Sequence, residues 1–299
     1  MENQAPVTFI STGRVRMREP MSGQPLSNQN TTLRLLRCFT GAWTPWLPIG
    51  VFLIQHPDGP VLVDAGASPR CMQAGYFPTL SYFVSILNQL EVSAEDDLVT
   101  QLASMGVHPS SLQAIVLTHL HHDHTGALED LVREAPDVPI YVNGDHWEAF
   151  GRSPRYAAMQ GCAPNHWPED FRPRLLQFGD KAVGPWERSA SITGDGCILA
   201  VETPGHAPGH ISIVVLDPNR AGHTDSETTY LLTGDATYNL QLLDKGEPDG
   251  VNSNPETAFK SLELIKEFAR QRDVVVLPSH DPDTPRLLRE KKIYKPKSA

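Results

Sequence analysis

Between Thr118 and Leu128 the chain reads Thr-His-Leu-His-His-Asp-His-Thr-Gly-Ala-Leu, with four histidines and an aspartate packed from His119 to His124. Adjacent imidazoles repel one another once protonated, so the cluster points to a shared positive partner bound by neutral rings. With 12 histidines in 299 residues, three at fixed positions arise by chance in roughly one window in 15,000. Ala114–Thr118 has the pattern of a buried strand, and side chains of an extended segment alternate faces. His119 and His121 therefore point together and Leu120 away. Asp123 and His124 follow in a turn that leads into Gly126-Ala-Leu-Glu-Asp-Leu-Val132, where a helix is expected to begin, and they can reach a second ion beside the first. His122 faces the other way and is expected at the rim or behind the ligands.

Two ions need more donors than this segment holds, and three later strand ends supply them. Glu202-Thr-Pro-Gly-His206 follows an apolar run, Leu231-Leu-Thr-Gly-Asp235 places a carboxylate after another, and Val274-Val-Val-Leu-Pro-Ser-His280 does the same with histidine. A carboxylate has two oxygens, which makes Asp235 the natural bridge between two cations. His210 is expected to support the ligands by hydrogen bonding. His56, His108, His146, His166 and His223 lack such context and read as surface or structural groups.

Apolar runs bounded by turn signals predict strands at Trp46–Gln55, Val61–Asp64, Ala114–Thr118, Ile140–Val142, Ile198–Thr203, His210–Leu216, Tyr230–Thr233 and Val274–Pro278. Ser93, Glu95 and Asp96 open a predicted helix to Met105 with Leu98, Val99, Leu102 and Met105 on one face. Asn254-Pro255 opens a second, to about Gln271. No linker obvious from composition divides the chain, so residues 1–299 are expected to form a single domain, expanded by an insertion at about 145–196. That region and Pro20–Thr32 are irregular excursions of the kind that build site walls, lids or oligomer contacts. The basic stretch Lys291–Lys297 reads as a solvated tail.

The balance of 25 basic against 35 acidic residues argues against a nucleic-acid partner, which needs a basic stripe. No signal segment opens the chain and no apolar run is long enough for a membrane span, so a soluble cytoplasmic protein without a membrane partner is expected. Cys38, Cys71, Cys162 and Cys197 are scattered without metal or disulfide spacing and read as ordinary thiols.

The run His119-x-His121-x-Asp123-His124, followed by His206, Asp235 and His280, resembles the metallo-β-lactamase superfamily signature over about Val51 to His280. Val61-Leu-Val-Asp64-Ala-Gly66 resembles that family's strand-end Asp-x-Gly, where the aspartate supports the metal loops. The resemblance implies an α/β chain of αββα sandwich architecture with a dinuclear centre of two divalent ions, expected to be zinc. His119, His121 and His206 would hold one ion, Asp123, His124 and His280 the other, and Asp235 would bridge. Within the family the N-acyl-homoserine lactonases, quorum-quenching enzymes, match best through Gly234-Asp235-Ala-Thr-Tyr238 and Ser279-His280-Asp281. Thr118 and His122 stand where many of those lactonases have Ser and Phe. Dizinc β-lactamases often carry cysteine at the place of Asp235, glyoxalase II enzymes a longer C-terminal region, and RNase Z-like members a basic RNA-binding element.

What the resemblance implies chemically is a zinc-dependent hydrolase that opens a lactone ring by attack of a metal-bridging hydroxide. Tyr238 would polarise the carbonyl and Asp123 would pass a proton to the leaving group. The partner is then a small-molecule lactone or ester. The aromatic stretches Trp43–Leu47 and Gly75–Phe83 suit an acyl-chain pocket, a core or a homodimer face. Two other readings use the same residues: a hydrolase of this fold acting on thioesters, phosphoesters or other lactones, and a non-catalytic metal-binding module.

Overall fold

The longest apolar runs become interior strands because both faces of the sheet are covered, a burial that selects continuous Val, Ile and Leu over alternation. A computed structural model describes residues 6–27, 30–81, 86–216 and 228–297. Seven strands, β1 (Val7–Met17), β2 (Leu47–Ile54), β3 (Val61–Val63), β4 (Asn88–Glu91), β5 (Ala114–Val116), β6 (Ile140–Val142) and β7 (Arg174–Leu175), form one sheet in the order β4-β1-β2-β3-β5-β6-β7. Five more, β8 (Ala190–Ser191), β9 (Ile198–Glu202), β10 (Ile211–Val215), β11 (Thr229–Gly234) and β12 (Val274–Pro278), form a second in the order β12-β11-β10-β9-β8. The chain divides into two compact units, one of Met1–Thr8, Arg18–Trp43 and Gln177–Ala299, the other of Phe9–Met17 and Thr44–Leu176. The region at 145–196 is thus shared between the units, with the break after Leu176.

In the unit holding β8–β12, the helix Pro255–Gln271 covers the sheet. The Asn254 side chain accepts the Thr257 N–H at 2.9 Å, with Pro255 at the first helical position where its missing N–H costs nothing. One face then buries Leu262, Ile265, Phe268 and Ala269 against Leu199, Val201, Val214, Leu231, Val274 and Val276. In the other unit β3 pairs in parallel with β5, Val63 opposite Val116, which sets the ends of both strands side by side.

Every predicted strand forms, within two residues at either end. The helix expected from Ser93 does not run through. Ser93 and Asp96 close a capping box around a single 3₁₀ turn, Ala94–Asp96. Asp97 is then extended, with ψ 121°, and its side chain caps a second helix, Leu98–Ser104, by accepting the Thr100 N–H at 2.8 Å. Two consecutive caps make two elements, and Met105 ends exposed beyond the second. The Lys291–Lys297 stretch is a docked segment, not a solvated tail. Tyr294 is buried in the core, its N–H donates to the Val274 carbonyl at 2.8 Å and its hydroxyl donates to Asp244 at 2.7 Å.

β1 escaped the reading because its outward residues are Arg14 and Arg16, not apolar groups. They pair across the sheet edge with Glu91 at 2.6 Å and Gln89 at 2.7 Å. Both guanidiniums also lie over the Trp46 ring, and Arg18 lies over Trp43. Trp43 and Trp46 therefore carry cations on their faces, which argues against an apolar pocket at that stretch. Tyr82, Phe83 and His223 lie outside the described residues, as do Asn28 and Gln29 of the Pro20–Thr32 excursion. The four cysteines are free and buried. Burial first, and the Asp123 charge second, push the Cys71 thiol up to about 12.

Candidate metal centre

The segment after β5 is held by the residue after β3. Asp64, fully buried and in the left-handed region at φ 65°, donates its N–H to the Val116 carbonyl at 2.8 Å. Its carboxylate accepts the Thr118 N–H at 2.7 Å and the Thr118 hydroxyl, and its other oxygen lies 2.8 Å from His124 Nδ1. Engaging Nδ1 leaves the lone pair of His124 on Nε2, the nitrogen a cation would use, and raises its basicity. The Thr118 hydroxyl, already donating to Asp64, accepts from His119 Nδ1 at 3.1 Å, and this network assigns the His119 lone pair to Nε2. His119 Nε2 and His121 Nδ1 lie 2.9 Å apart. Two donors of one tetrahedral zinc, each about 2.0–2.1 Å from it, sit about 3.3–3.4 Å apart, so the pair needs only a small adjustment to share an ion.

His122 begins a one-turn helix, His122–Thr125, and its ring meets Phe77 edge-on at 4.9 Å. Phe77 and Tyr76, which stacks on His166 at 3.8 Å, place part of the Gly75–Phe83 stretch beside the metal-binding segment. Sequence reasoning missed the importance of His146. It is fully buried, and its Nε2 accepts the Leu120 N–H at 2.9 Å, fixing the backbone between His119 and His121. Nothing in the local pattern announces this, because the partner is a backbone amide 26 residues away. Gly126 closes the turn by donating to the Gly66 carbonyl at 2.6 Å. A Cβ at Gly126 would fall 2.5 Å from Ser68 N and 2.7 Å from the Gly66 carbonyl oxygen, backbone atoms that cannot rotate away. Gly126→Ala is expected to cost about 2–3 kcal/mol and lower the melting temperature by several degrees, measured by calorimetry with and without metal.

In the other unit the three strand-end residues stand where their strands end. Asp235 follows β11, His280 follows β12, and His206 sits at the turn after β9, where Gly205 adopts φ 136° against the Pro255–Gln271 helix. Asp235 turns one oxygen to each of two histidines: Oδ2 is 3.6 Å from His206 Nε2 and Oδ1 3.3 Å from His280 Nε2. A carboxylate placed so turns a different oxygen toward each histidine. His210 is the supporting residue expected. Its Nδ1 meets Thr203 at 3.0–3.1 Å and its Nε2 accepts the Asp235 N–H at 3.1 Å, tying β9 to the carboxylate's backbone. Tyr238 is buried, with its ring stacked on His280 at 5.2 Å and 16°. A group missed in the sequence is Asp249, whose carboxylate lies at an ion-pair distance of 3.5 Å from His206 Nδ1, on the side of the ring opposite Asp235.

His119, His121, Asp123, His124, His206, Asp235 and His280 all belong to His and Asp groups able to hold a metal ion. The donor set fits one: imidazoles and carboxylates with no thiolate, mostly buried, with His119 and His124 ordered by Thr118 and Asp64 on their Nδ1 atoms.

The metallo-beta-lactamase superfamily profile matches residues 44–280. N-acyl homoserine lactonase AttM of Rhizobium radiobacter is 29% identical over 249 residues, 79% of this chain and 83% of its own. N-acyl homoserine lactonase AiiA of Bacillus thuringiensis subsp. kurstaki is 27% identical over 236 residues, 79% of this chain and 82% of its own. Among solved structures, an N-acyl homoserine lactone hydrolase with the product N-hexanoyl-L-homoserine at its catalytic metal center superposes with TM-score 0.68 at 23% identity, covering 98% of both chains. AidC, a dizinc quorum-quenching lactonase, superposes with TM-score 0.56 at 15% identity over 92% of this chain and 87% of its own. These likenesses confirm the fold expected from the histidine signature, and the chain belongs to the metallo-β-lactamase superfamily.

Proposed function

We propose that the protein is a zinc-dependent hydrolase that opens the lactone ring of N-acyl-homoserine lactones. The seven metal-group residues would serve one dinuclear centre: His119, His121 and His206 would hold one ion, Asp123, His124 and His280 the other, and Asp235 would be shared. The observation that carries this reading is the Asp235 carboxylate, with one oxygen directed to His206 and the other to His280. The relatives named N-acyl homoserine lactonases support the substrate class. The family match spans residues 44–280 and so draws on both compact units, which supports reading them as one functional domain.

Two divalent ions, when bound, supply a nucleophile at neutral pH by lowering the pKa of coordinated water to about 7, and they polarise the ester carbonyl. The chain's own groups do the rest. Asp235 offsets the charge of both ions. The Tyr238 ring, fixed by stacking on His280, directs its hydroxyl to donate toward the carbonyl oxygen as negative charge gathers there. Asp123, half-buried, carries the proton to the departing ring oxygen. Phe77 beside His122 offers apolar surface to the acyl chain.

The test is turnover of metal-replete protein on short- and long-chain acyl-homoserine lactones beside thioester, phosphoester and other lactone panels. Homoserine lactones as the best substrates by kcat/KM support the assignment. A better thioester or phosphoester moves it to another hydrolase of the fold, and bound metal with no turnover on any panel revives the non-catalytic module. Tyr238→Phe is expected to keep both metals and lower kcat about 10²-fold. Parent-like turnover by this variant would remove the hydroxyl from the mechanism.

A further inference from the structure

A buried arginine outside the family match reaches the metal-binding histidine through one loop. Arg34 lies on the helix Thr31–Arg37, ahead of residue 44 where the family match begins. It is 1% exposed. Burying a guanidinium is costly unless its donors are satisfied, and here both Nη groups donate to backbone carbonyls. Nη2 donates to Pro248 at 3.0 Å and to Asp249 at 2.7 Å, and Nη1 donates to Pro25 at 3.0 Å.

The same loop is held from several other sides. The Gln24 N–H donates to the Pro248 carbonyl at 2.9 Å and the Gly250 N–H to the Met21 carbonyl at 2.9 Å. Asn252 donates to the Asp249 carbonyl, and the Val251 N–H donates to Asp249 Oδ1 at 3.0 Å. Gly250 admits no side chain, since a Cβ there would strike the Pro20 carbonyl oxygen, Gln24 Nε2 and Cys38 Sγ. What this clamp presents is Asp249 Oδ2, 3.5 Å from His206 Nδ1, with the opposite nitrogen of that ring 3.6 Å from Asp235.

We propose that Arg34 is a positioning residue for the metal centre: by binding the Pro248 and Asp249 carbonyls it holds the Asp249 carboxylate against His206 Nδ1 and so aims His206 Nε2 at the metal. Asp249 sets the ring's tautomer and orientation, as carboxylates behind metal-bound histidines do, and Arg34 sets Asp249. The residues before position 44 thereby tune a site whose ligands all lie after it. The inference rests on the metal centre proposed above.

The experiment is zinc competition against a chromophoric chelator, with zinc stoichiometry, for the parent, Asp249→Asn, Arg34→Lys, Arg34→Met and the double variant Arg34→Met/Asp249→Asn. Asp249→Asn keeps the shape of the side chain and an acceptor for Val251. It is expected to bind zinc 10–100-fold more weakly, the range for partners behind metal ligands. Arg34→Met is expected to lose a similar factor, with Arg34→Lys recovering part of it. The double variant should be no weaker than the worse single variant, because both act through one contact. Parent-like zinc affinity in Asp249→Asn overturns the inference. So does an Arg34→Met protein that melts earlier but binds zinc as the parent does, since that is the behaviour of a merely structural arginine. If Arg34→Met fails to fold, Arg34→Lys decides: undiminished zinc affinity in that variant together with a weakened Asp249→Asn overturns the part assigned to Arg34. A parent that binds no zinc overturns the metal centre itself, an outcome distinct from all of these.

Discussion

Asp235→Ala is expected to release both metal ions and lower lactone turnover by more than about 10³-fold while leaving the fold in place. The carboxylate directs one oxygen toward His206 and one toward His280, so its removal deprives two cations of their common negative charge at once. The backbone stays anchored, because the Asp235 N–H still donates to His210 Nε2 and His210 still reaches Thr203. Asp235→Asn separates charge from shape: its single carbonyl oxygen can serve only one of the two positions, so it should retain at most one ion. Elemental analysis, circular dichroism and turnover on both variants make the comparison. Two ions retained in active Asp235→Ala protein would mean that the bridge lies elsewhere.

The second large effect is on stability. Asp64→Ala is expected to destabilise the protein by about 3–5 kcal/mol, because it removes the acceptor of several buried donors in a single change. The Thr118 N–H, the Thr118 hydroxyl and His124 Nδ1 all converge on the Asp64 carboxylate. Alanine also fits poorly at φ 65°, which aspartate and asparagine tolerate better. Asp64→Asn should therefore keep the backbone conformation and one acceptor, and lose less. In folded Asp64→Asn protein, zinc affinity should still fall 10–100-fold, since His124 and His119 lose the partner that orders them directly or through Thr118. Denaturant unfolding and zinc competition measure the two effects separately. A loss under about 1 kcal/mol for Asp64→Ala would show that the three donors find other acceptors at little cost, and the supporting role would be withdrawn.

Some structural features were hidden from a sequence reading for identifiable reasons. β1 alternates around Gly13, Arg14 and Arg16, whose partners Glu91 and Gln89 lie on a short strand with a single apolar residue, Leu90. The Lys291–Lys297 stretch looks solvated by charge, yet Tyr294 makes it part of the core. Its lysines settle on acids at the rim, Lys295 on Asp273 and Lys297 on Asp244. A basic run conveys exposure only on average, and a single aromatic with a buried partner overrides it.

Spacing and the signature it forms named the candidate ligands, and the structure places all seven in His and Asp groups that could hold a metal ion. His119, His121, Asp123 and His124 are locked in order by covalent proximity, and His206, Asp235 and His280 each follow an apolar run whose end must be a sheet edge. Periodicity determined the strands, because burial on both faces of a sheet leaves a continuous apolar record. What tertiary structure decided is how each ligand is aimed. Asp64 and Thr118 select which nitrogen of His124 and His119 is turned inward, His146 fixes the backbone at Leu120, and Asp249 stands at ion-pair distance behind His206. These partners stand next to one histidine in the chain or scores of residues from it. Arg34 reaches Asp249 across 215 positions. Hydrogen bonds of that kind obey distance and angle in space and leave no period in the chain, so only the folded backbone reveals them.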